Sequence, residues 1–114
     1  MEDLLIKVLT DKFGYPVILQ GSLSPDEPYP NHFFTFWNTD SENSAYYDNS
    51  SNTYIYTYNL NFYSIDAEAV YTVLREAIEE LKKYGFIISG DGHSVATDDL
   101  THDGRGTNVY YRKN

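Results

Sequence analysis

The residues best suited to chemistry lie together in Asp91-Gly-His-Ser-Val-Ala-Thr-Asp-Asp-Leu-Thr-His-Asp-Gly104. His93, Asp98, Asp99, His102 and Asp103 supply the imidazoles and carboxylates that a divalent metal takes as ligands. Their spacing is neither H-E-x-x-H nor a calcium loop with its distal Glu. Loops between strands collect Asp, Gly and Thr because these residues turn the chain, so the segment reads as a connecting loop without a metal. Asp103-Gly-Arg-Gly106 has the glycine content of a phosphate-binding loop. Such a loop needs a helix after it to aim N–H groups at the anion, and the residues that follow are strand-like. A turn is expected there, with Arg105 as an exposed salt-bridge or contact residue. The adjacent carboxylates Glu79 and Glu80 belong to a solvated helix face. No G-x-S-x-G nucleophile elbow occurs. With 0 cysteines, thiolate zinc sites, cysteine nucleophiles and disulfides are excluded. No catalytic, cofactor-binding or metal-ligating residue is assigned, and the chain is read as a non-enzyme that takes no cofactor.

The elements that would position these residues follow from hydrophobic periodicity. Glu2 to Lys12 reads as a helix with Leu4, Leu5, Val8 and Leu9 at helical spacing, stopped by Gly14 and Pro16. Val17 to Gln20 and His32 to Trp37 read as strands, separated by a stretch containing Pro25, Pro28 and Pro30. The stretch 38–52 is small, polar or acidic, which reads as a long hairpin tip carrying Tyr46 and Tyr47 that orders on contact with a neighbour. Thr53 to Tyr63 alternates strictly. Tyr54, Tyr56, Tyr58, Leu60 and Phe62 share one parity, and Ile55, Thr57, Asn59, Asn61 and Tyr63 share the other. At ~3.3 Å per residue this strand reaches roughly 36 Å, about the width of a domain of this size, so it crosses the domain or projects from it. Asp66 caps a second helix running to about Tyr84, with Val70, Val73, Leu74, Ala77, Ile78 and Leu81 as its apolar stripe. Strands at 86–89 and 107–112 complete the order α-β-β-β-α-β-β. The expected fold is a single α+β domain over 1–114, with an antiparallel or mixed sheet, a long hairpin and two helices packed on one face.

Composition narrows the function classes. The chain carries 12 Tyr and 6 Phe, and tyrosine combines large contact area with a polar tip suited to half-exposed surfaces. The tyrosine row therefore fits either a sheet-rich core or an interface between molecules. A net charge of −9, with only 8 Lys and Arg, argues against nucleic acid and against anionic membrane surfaces. The acidic start Met1-Glu2-Asp3 lacks the basic flank and apolar run of a signal peptide, and no segment approaches the ~20 apolar residues of a membrane span. The chain is read as soluble and made in the cytoplasm.

The succession of features also carries a resemblance. A short N-terminal helix leads to Phe34-Thr-Phe-Trp-Asn38; Asn59-Leu-Asn-Phe-Tyr-Ser64 runs into an Asp-capped helix; Tyr84-Gly-Phe-Ile-Ile-Ser-Gly90 and Asp99-Leu-Thr-His-Asp-Gly-Arg-Gly106 lead to a closing strand. Over essentially its whole length the chain resembles the small tail-completion proteins (tail terminators or head–tail joining proteins) of siphophages and prophages of Gram-positive bacteria. The resemblance implies an α+β domain that assembles into a cyclic homo-oligomer, commonly a hexamer, at the head-proximal end of the tail. There it would end tail-tube growth or join tail to head, with tail-tube and head-connector proteins as partners. The implied location is the virion, after synthesis in the host cytoplasm. Such a protein works by surface complementarity, so the site residues expected are interface candidates: Trp37, Tyr46, Tyr47, Tyr54, Tyr56, Tyr58 and Arg105. The alternative function is a monomeric or dimeric protein-binding module that uses the aromatic strand face without catalysis.

Overall fold

Gly14 ends the first helix by taking a left-handed conformation (φ 73°) that returns its N–H to the Thr10 carbonyl at 2.8 Å. This helix, α1 (Glu2–Phe13), is the first element of a computed structural model that describes residues 2–19, 30–39, 42–43, 54–88, 90, 92–95 and 101–113. Its apolar stripe buries Leu5, Val8 and Leu9. Phe13 carries the stripe past the helix end by packing on Phe34, with ring centroids 5.6 Å apart.

Strand β1 (Val17–Leu19) runs parallel to β2 (His32–Asn38), and β2 is antiparallel to β4 (Tyr54–Ser64) in the register His32↔Ser64 to Asn38↔Tyr58. The two-residue β3 (Glu42–Asn43) pairs with the start of β4. After helix α2 (Ala67–Lys83), β5 (His93–Val95) forms one end of the sheet beside β6 (Asp103–Lys113). The order is β1-β2-β4-β6-β5, a mixed sheet, with β3 beside β4 off this path. The helices pack against the sheet, giving the α+β fold expected.

β4 and β6 pair along their whole length, from Tyr54↔Lys113 to Ser64↔Asp103. Because β2 ends opposite Tyr58, residues 54–57 continue past it, held by β6 and β3. This long ribbon fits a molecule measuring 49 × 28 × 24 Å.

The strict alternation in β4 becomes two different faces. Tyr58, Leu60 and Phe62 lie in the core with Phe34, Phe36 and Val109, beneath Leu5 and Leu9 of α1 and Leu74, Ala77, Ile78 and Leu81 of α2. The start of α2 is set by Asp66, whose Oδ1 accepts the N–H groups of Glu68 (3.0 Å) and Ala69 (3.4 Å). Behind it, fully buried Ser64 accepts the Asp66 N–H at 3.0 Å and sits 2.7 Å from Nδ1 of His32. A serine beside a histidine has the composition of a nucleophile and its base. With no accessible surface, Ser64 instead fastens the end of β4 to the helix start.

Three local expectations change. Of the strand expected at 86–89, the described residues 86–88 hold a single bridge, Ile87↔Tyr110. The polar stretch 38–52 contributes β3 to the sheet. The final strand begins at Asp103, so Asp103-Gly-Arg-Gly106 is a strand segment and not a turn. The reason lies across the ladder. A Cβ on Gly104 would stand 2.7 Å from the Tyr63 ring and 2.8 Å from Val95 Cγ2, and one on Gly106 would overlap Asn61. The glycines let side chains from neighbouring strands lie flat over β6, a strand use of glycine that composition disguises as a turn.

Candidate interaction surface

The helices cover one face of the sheet. The other face is built in cross-strand rows that follow from the register. Phe33, Tyr63, Gly104 and Val95 form the first row, then Thr35, Asn61, Gly106 and His93, then Trp37, Asn59 and Asn108, then Thr57, Tyr110 and Ile87, and last Ile55 and Arg112.

The first two rows are closed over β2, β4 and β6, with His93 exposed at the β5 end of the second. Phe33 is stacked on Tyr63 at 5.2 Å and meets the His102 ring edge-on at 5.9 Å. Thr35 and Asn61 are buried directly opposite each other, and among the described residues Thr35 Oγ1 and Asn61 Oδ1 lack a hydrogen-bond partner. A buried polar group left unpaired costs free energy, so Thr35→Val is expected to raise stability by about 1 kcal/mol in chemical denaturation. A loss of stability instead would indicate that a bound water satisfies this pair.

The remaining rows are open. Trp37 is 50% exposed, Ile87 58% and Tyr110 38%, and Arg112 is exposed beside them. Trp37 and Tyr110 lie two strand spacings across and two residues along the sheet, roughly 12 Å apart, with half-buried Asn59 and Thr57 between them. Trp, Tyr and Arg are the side chains enriched where proteins bind one another.

Of the interface candidates, Trp37 lies on this open face. Tyr58 is corrected: it is 1% exposed, on the parity that faces the helices, so the core takes the surface it would offer a neighbour. Tyr56 shares that parity and is partly buried against the same core. Tyr54 enters the ladder opposite Asn43 and Lys113. Tyr46 and Tyr47 lie outside the described residues. Arg105 departs from its expected exposure. It is half-buried, donates from Nη2 to the Gly92 carbonyl at 2.9 Å and lies 4.6 Å over the Tyr71 ring, because its place between Gly104 and Gly106 turns it toward α2. Ile87, Tyr110 and Arg112 are the surface residues that the sequence left unmarked. Their signal was the parity of the last strand, which Tyr110 and Tyr111 blur because both are aromatic.

Of the imidazole and carboxylate cluster, the described members do not gather around a common point. His102 is buried, with Nε2 donating to the Pro30 carbonyl at 2.8 Å, which leaves Nδ1 to accept from the Thr101 hydroxyl at 3.1 Å. Both ring nitrogens are thus engaged. His93 is exposed on β5 opposite Gly106, and Asp98 and Asp99 lie outside the described residues. Among the described residues no three His, Cys, Asp or Glu side chains gather as a metal site, and no helix is long and apolar enough to cross a membrane.

A second surface lies at the other end of the ribbon, on the helix side. A cavity of about 380 Å³ opens between the start of α2 and strands β5 and β6, with Val70, Tyr71, Ser94, His102, Asp103 and Arg105 among its walls. Tyr71 (52% exposed) and Ile65 (48% exposed) stand at this end, accompanied by exposed Asp66, Glu68 and Asp103. The chain matches no protein-family model and no curated protein.

Proposed function

We propose that this protein is a structural component of a phage virion that forms a ring at the head-proximal end of the tail, ending tube growth or joining tail to head. The observation that carries the reading is the open sheet face with Trp37, Ile87, Tyr110 and Arg112 exposed together on an elongated β4–β6 ribbon. Exposed aromatic side chains beside an arginine are what an assembly interface requires. The α+β fold with two helices on one sheet face agrees with what the resemblance to tail-completion proteins implies. A strongly acidic chain would also line a passage for DNA without gripping it.

The test is the solution mass by light scattering over a concentration series, alone and with the tail-tube protein of the same phage, followed by negative-stain imaging. A closed ring several times the 13.1 kDa chain is expected, free or seated on the tube. A chain that stays monomeric in both conditions overturns the proposal. A small defined complex with one protein outside the tail would favour the binding-module alternative.

A further inference from the structure

We draw no further inference here: the strongest candidate, the cavity of about 380 Å³ between the start of α2 and strands β5 and β6, sets the Arg105 guanidinium, already held by the Gly92 carbonyl and the Tyr71 ring, beside the Asp103 carboxylate, and nothing among the described residues shows what would occupy it.

Discussion

Leu74→Ala is expected to destabilise the protein by about 2–5 kcal/mol, the range found when a fully buried leucine is truncated. Leu74 is 0% exposed at the centre of the α2 stripe, among side chains from both helices and the sheet. Its surroundings have little freedom to collapse into the space left behind. The backbone of Gly92 approaches so closely that a methyl group there would stand 2.8 Å from Leu74 Cδ2. The cost should therefore fall in the upper half of the range. Urea denaturation measures it, with the slope checked so that a lower midpoint reports stability and not a changed unfolded state. A loss below about 1 kcal/mol would show that α2 presents a different face to the sheet.

Gly104→Val is the second large effect, and intrinsic preference and packing predict opposite signs for it. Valine favours strands and glycine weakens them, so propensity alone anticipates a gain of up to about 1 kcal/mol. The register places Gly104 between Tyr63 and Val95, whose side chains already occupy the position of its missing Cβ. A valine would force Tyr63 away from Phe33, breaking the stacked pair, and push β5 from β6. Overpacking of this kind costs about 1–3 kcal/mol and more when the backbone must move, so a net loss of about 2–3 kcal/mol or more is expected. Thermal unfolding followed by circular dichroism reads the sign directly. A raised midpoint would show that the ring of Tyr63 leaves β6 freely.

The two predictions separate kinds of information that a sequence carries unequally. α2 was legible almost to the residue. The 3.6-residue stripe, the Asp66 cap and the basic last turn are local signals, and the helix observed spans Ala67–Lys83 between Asp66 and Tyr84. The alternation in β4 was equally plain, since a strand with one buried face must repeat every second residue. Periodicity says that two faces differ, yet it does not say which one a protein's own helices will cover. That ambiguity governs the tyrosine row. Its parity was correct, while Tyr58 was offered to a partner and belongs to the core.

The surface residues depended on long-range register. Trp37 and Tyr110 share the open face because β2 and β6 flank the same strand, although 73 residues of numbering separate them. Gly104 and Gly106 read as a turn because glycine's local preferences favour turns. Only the side chains of Tyr63 and Asn61, brought across the ladder, give those positions a reason to lack a Cβ. His102 and His93 likewise looked like neighbours in a ligand cluster until β5 and β6 took up their register and the Pro30 carbonyl claimed one ring. Helix positions, caps, strand parity and the α+β class follow from interactions between residues close in the chain, which the order of amino acids states directly. The identity of the open face, the pairing of charges and the use of glycine are set by contacts between distant residues, which exist only once the sheet has chosen its register.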